Sequence, residues 1–69
     1  SNKAPHETLS DREFDVLKML ASGKAVSEIA DMLSLSSTTI STYRARILEK
    51  MKMKSNADIT RYALENQLI

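Results

Sequence analysis

Residues 26–46 read VSEIADMLSLSSTTISTYRAR, and two apolar stripes in that stretch are separated by a break of three residues. Ile29, Met32 and Leu33 are spaced three and four apart, as neighbours on one face of a helix are. A short helix is therefore expected over about 26–33, with that stripe buried. Ala30 is the small residue a second helix needs if it is to cross closely. Ser34-Leu35-Ser36 then breaks the period, and Ser36 is suited to cap a new helix by accepting an orphan amide. From Ser37 the pattern resumes. Placing Ile40 at the centre, Tyr43, Ile47 and Met51 fall within about 60° of it, with Leu48 on the flank. The opposite face collects Thr38, Ser41, Thr42, Ala45, Arg46 and Glu49 and has no large apolar residue.

Two helices joined by so short a turn make a helix-turn-helix, and the flanking sequence supplies what packs against it. Upstream, Ser10-Asp11-Arg12-Glu13 is a capping box in which the Ser hydroxyl takes the third helical amide and Glu13 reaches back. Leu9 can staple onto Phe14, and Phe14, Leu17, Leu20 and Ala21 form the stripe, with Val16 and Met19 beside it. Gly23, the one glycine, follows where a left-handed helix cap is wanted. Downstream, Lys52-Met53-Lys54 is a linker, and Ser55 caps a last helix with Asp58 three residues on. Ile59, Tyr62 and Ala63 face inward there, while Ala57, Thr60, Arg61 and Leu64 lie toward the other side. All four methionines (Met19, Met32, Met51, Met53) are expected to fill the core. The expected fold is all-α, four helices at about 10–22, 26–33, 37–51 and 56–66 around a central helix-turn-helix. Residues 1–8 are expected to be a tail or linker, with Ser1-Asn2 a tag remnant and His6 an inert exposed side chain. The domain proper is 9–69.

A chain of 69 residues holding 42% hydrophobic residues and no cysteine has no disulfide or thiolate zinc cage to replace a core. No apolar run approaches membrane-spanning length. A single histidine leaves no His-rich metal site, and nothing in the sequence asks for a cofactor. The net charge of +1 conceals an uneven distribution. Residues 36–54 hold five basic side chains (Arg44, Arg46, Lys50, Lys52, Lys54) against Glu49 alone, while the segments on either side are net acidic.

That basic excess falls on the one helix whose outer face has nothing to bury. A rigid helix pair projects such a helix into a duplex major groove. Thr38, Ser41, Thr42 and Ala45 are then nearest the base edges, small enough for close approach. Ser36, Ser37 and Thr39, with the free amides of the helix start, suit a phosphate, and Arg46 and Lys50 continue toward the backbone. Arg44 lies nearer the inner face, where an acid such as Glu13 or Glu28 is a possible partner; Lys18 and Lys24 are expected to be plain surface charges. The alternative is a protein-interaction module whose basic helix docks an acidic partner such as an RNA polymerase subunit. Catalysis is not expected: His6 has no partner at a defined spacing, and Glu13 and Glu28 read as caps.

Five motifs in register carry a resemblance across residues 9–69. They are Leu9-Ser10-x-Arg12-Glu13-x-x-Val16-Leu17, Ala21-x-Gly23-Lys24, Glu28-Ile29-Ala30, Leu33-x-Leu35-Ser36-x-x-Thr39-Ile40 and Ile47-Leu48-x-Lys50-Met51. Together they resemble the LuxR/NarL-type helix-turn-helix domain, and Ile40-Ser41-Thr42-Tyr43-Arg44-Ala45-Arg46 is similar to its two-component response regulators. The resemblance implies a bacterial, cytoplasmic, nucleoid-associated transcription regulator, shown here as its C-terminal effector domain without an N-terminal receiver. It implies base contacts at Thr38, Ser41, Thr42 and Ala45 and phosphate contacts at Ser36, Thr39, Arg46 and Lys50. It also implies a dimer through the fourth helix, at Ala57, Thr60, Arg61 and Leu64, expected to be weak in isolation. Many relatives carry lysine or asparagine where Thr38 and Ser41 stand. Hydroxyls discriminate bases poorly, so DNA shape should carry more of the specificity.

Overall fold

The computed structural model describes residues 4–69 and forms, within them, α1 (Asp11–Ala21), α2 (Val26–Leu33), α3 (Ser37–Met51) and α4 (Asn56–Glu65). A single 3-10 turn at Pro5–Thr8 precedes α1, and no strand occurs among the described residues. The expected all-α, four-helix architecture is the one observed. Ser1 and Asn2, expected as a tag remnant, lie outside the described residues.

The helix starts follow from side-chain acceptors. Ser10 accepts the Glu13 amide at 3.2 Å, and Glu13 Oε1 accepts the Ser10 amide at 2.9 Å, completing the box. At α2 the cap residue is Ala25, so only the Glu28 half of that arrangement exists, its carboxylate accepting the Ala25 amide at 2.9 Å. Ser36 and Ser55 accept the amides of Thr39 and Asp58. The Asp58 carboxylate accepts the Lys54 amide instead of closing a box with Ser55.

All four helices end alike. One residue turns left-handed (Gly23, φ 92°; Ser34, 57°; Lys52, 56°; Gln67, 56°). The next amide then reaches back to a carbonyl five residues earlier. These bonds run from Lys24 to Met19, Leu35 to Ala30, Met53 to Leu48 and Leu68 to Ala63, at 2.8–3.1 Å. This is the Schellman closure, which satisfies carbonyls the helix leaves orphaned. Leu35, Met53 and Leu68, the residues after three of these turns, fold back against the core. The backbone thereby passes from α2 to α3 through three residues only.

The core is aliphatic. Val16, Leu17, Leu20 and Ala21 of α1 meet Ile29 and Ala30 of α2, Ile40, Ile47 and Met51 of α3, and Ile59 and Ala63 of α4. α3 packs on both α1 and α2, and α1 on α4. Ala30 is buried, as a close crossing of α2 and α3 demands.

Three expectations fail here. Met32 is 56% exposed, so it belongs neither to the α2 stripe nor to the core. On so short a helix the buried arc is centred between Ile29, Ala30 and Leu33, which leaves Met32 roughly 110° from its middle. His6 is not inert. The Pro5–Thr8 turn lays its ring between Phe14, stacked at 5.6 Å, and Tyr62, edge-on at 5.8 Å. Its Nδ1 is 2.7 Å from the Tyr62 hydroxyl oxygen. Lys18, expected to be a plain surface charge, sits with Nζ 4.8 Å from the centre of the Phe14 ring.

Candidate nucleic-acid interface

α3 divides cleanly along its length. Ile40 and Ile47 are fully buried on one side. Thr38, Ser41, Thr42, Ala45, Arg46 and Glu49 are all exposed on the other. Fifteen residues give a rod about 22 Å long, held by its isoleucines with a row of small side chains left bare.

The hydroxyls on this rod are partly committed. Ser36 Oγ accepts the Thr39 amide at 3.1 Å and lies 2.9 Å from Thr39 Oγ1. One hydroxyl hydrogen serves that second contact, so the pair retains one hydrogen to donate outward. Thr42 donates its hydroxyl to the Thr38 carbonyl at 3.0 Å. Ser36 is exposed and Thr39 half-buried.

The basic residues of the segment differ in how free they are. Arg44 donates Nε to Asn56 Oδ1 at 2.8 Å, tying α3 to the first turn of α4. Of the two acids considered for it, Glu13 belongs to Lys50, whose Nζ is 2.8 Å from Glu13 Oε1, and Glu28 accepts the Ala25 amide. Arg46, Lys52 and Lys54 are exposed and form no ion pair among the described residues.

Glu13 is the one buried charge among the described residues. Burial by itself would raise its carboxyl pKa. The Lys50 hydrogen bond and charge, with the amide and hydroxyl of Ser10, outweigh that and hold it below the usual value. The sequence reading assigned Glu13 a capping role and missed its partnership with Lys50. The signal was present: Val16, Leu17 and Leu20 stand three, four and seven residues on, which places Glu13 on the apolar stripe. A carboxylate buried there requires a cation.

On α4, Ala57, Arg61 and Leu64 are exposed and Thr60 is half-buried. Leu64 is 61% exposed, and Arg61 is bound to Asp58 at 3.1 Å. A surface hollow of about 470 Å³ is lined by Asp15, Lys18, Met19, Ser22, Lys24, Leu68 and Ile69, none of them on α3. None of the described helices is long and apolar enough to cross a membrane.

A buried isoleucine face backing a bare row of small hydroxyls, projected by a three-residue turn, defines a helix-turn-helix of the duplex-reading kind. Residues 7–63 match the family described as bacterial regulatory proteins, luxR family. A Pseudomonas aeruginosa protein is 44% identical over 63 residues, 91% of this chain and 30% of its own length. The response regulator GacA of Pseudomonas protegens is 35% identical over 69 residues, 100% of this chain and 32% of its own. The DNA-binding transcriptional activator EvgA of Escherichia coli strain K12 is 32% identical over 68 residues, 99% of this chain and 33% of its own. The chain belongs to the luxR family of bacterial regulatory proteins, as a DNA-binding helix-turn-helix domain. It spans about a third of the length of the curated relatives it matches. That membership favours DNA over the protein-docking alternative.

Proposed function

We propose that this domain is the effector module of a response regulator and lays the N-terminal half of α3 in the major groove. Thr38, Ser41, Thr42 and Ala45 then face base edges. Ser36 and Thr39 meet a phosphate at the helix start, where free amides add partial positive charge, and Arg46 meets the next stretch of backbone. Lys50, expected with them, lies further along the same helix but carries its ammonium on Glu13. Ala57, Thr60, Arg61 and Leu64 form one face of α4, and they supply a weak homodimer contact that would set paired half-sites. A receiver domain upstream, contact with RNA polymerase, and a place in the cytoplasm at the nucleoid complete the reading. It is the reading of a binding module and not of an enzyme, and it rests on family membership.

The observation that carries the proposal is the exposure of all four small residues of α3 opposite two fully buried isoleucines. Fluorescence anisotropy against a salt series tests it. Roughly three phosphates neutralised by the free cations Arg46, Lys52 and Lys54 give a log–log slope of about −2.7 for any duplex, with a tighter subset of sequences above that background. Binding without salt dependence would end the proposal.

A further inference from the structure

Lys50 stands apart from the other cations of α3. Its ammonium lies 2.8 Å from Glu13 Oε1, and the two side chains differ sharply in exposure, 40% for Lys50 against 4% for Glu13. The same Oε1 accepts the Ser10 amide, so the carboxylate is fixed at the start of α1 and cannot swing out to water. No other cation hydrogen-bonds to it among the described residues. The pair is therefore asymmetric. Lys50 could be solvated without Glu13, whereas a buried carboxylate stripped of its cation is left uncompensated. A phosphate competing for this ammonium would have to leave that charge bare. Arg46, Lys52 and Lys54 impose no such penalty.

We propose that Glu13 holds Lys50 away from the DNA backbone, so that Lys50 becomes a phosphate ligand only when the Glu13 charge is removed. Glu13 is then a positioning residue for the DNA contact: it sets how many charges α3 offers and so how steeply binding falls with salt. The inference rests on the DNA-binding reading above.

The test is a double-mutant cycle on the 69-residue chain, titrating a short duplex of random sequence across a KCl series. Gln serves at the third helical position of a capping box as Glu does, so E13Q keeps the amide contact and loses only the charge. E13Q is expected to steepen the log–log slope by about 0.9, the contribution of one phosphate. K50Q should cost more slope in the E13Q background than in the wild type. The inference is overturned if E13Q leaves the slope unchanged, or if K50Q flattens it equally in both backgrounds. Should a variant fail to fold, the ¹³C shift of the Glu13 carboxyl in the wild-type chain decides: it stays put on saturation with duplex if the pair survives, and moves if Lys50 departs. A wild type without salt-dependent binding removes the DNA reading and this inference together. A salt-dependent wild type with an unresponsive E13Q removes the inference alone.

Discussion

The Nδ1 atom of His6 lies 2.7 Å from the hydroxyl oxygen of Tyr62, fifty-six positions away in the chain. The His6 amide also donates to that oxygen, at 3.3 Å. One phenol thus pins the Pro5–Thr8 turn to α4. Tyr62→Phe keeps the ring and removes the anchor. The expected loss is about 0.5–1.5 kcal/mol, read from urea unfolding. Amide exchange should accelerate first at Glu7 and Leu9, whose amides bond within the turn.

Ser34 occupies a left-handed position at φ 57° with its side chain exposed. An L-residue is disfavoured there and glycine is not. Ser34→Gly loses some of that gain to the greater freedom of the unfolded chain. A net stabilisation of about 0.5–1 kcal/mol is expected, appearing as a rise in Tm of roughly 2–8 °C. An unchanged or lower Tm would contradict the argument.

Glu13 makes stability depend on acidity in a defined direction. Its folded pKa is lowered, so the folded chain binds this proton less readily than the unfolded one. The stabilisation is complete above the unfolded value of about 4.3 and drains away as pH falls through the lower folded value. Urea midpoints for the wild type and E13Q, measured from pH 7 downward, should draw together only as pH falls through the lowered folded value. Parallel curves would show that the pair does not titrate as described.

For the DNA contact, Arg46→Ala is expected to weaken all sequences about equally and to flatten the salt slope by about 0.9. Thr42→Ala should instead leave the slope alone and relax preference at one or two base pairs, each worth about 1–3 kcal/mol. Anisotropy titrations with a small panel of duplexes separate the two effects.

Leu64→Glu places a charge in the middle of the proposed α4 contact. Binding to a single half-site should be unaffected, while cooperative binding to paired half-sites is lost. Sedimentation of the unbound wild-type domain across concentration should show monomer or weak dimer, and a tight dimer at low micromolar concentration would contradict this.

What the sequence disclosed was what local periodicity and capping chemistry determine. Ser10, Ser36 and Ser55 announced three helix starts, Gly23 one helix end, and Ile40 with Ile47 the inner face of α3. The bare face followed from the same wheel. Features that depend on residues distant in sequence were not legible. His6 read as solvent-exposed because Phe14 and Tyr62 reach it only through the fold. Met32 read as core because spacing alone does not show where a two-turn helix centres its buried arc. Lys50 sits among basic neighbours, and nothing local separates it from Arg46. The cue lay in α1, in an acid placed on an apolar stripe.

One hydrogen atom in this domain has a wider consequence. Because Thr42 gives its hydroxyl proton to the Thr38 carbonyl, it meets a base edge with lone pairs and a methyl group only. In the docking proposed here it welcomes the exocyclic amines of adenine and cytosine and the methyl of thymine. Guanine, whose groove edge is all acceptor, it turns away. An operator matched to this helix would then be defined at that step by which base is refused.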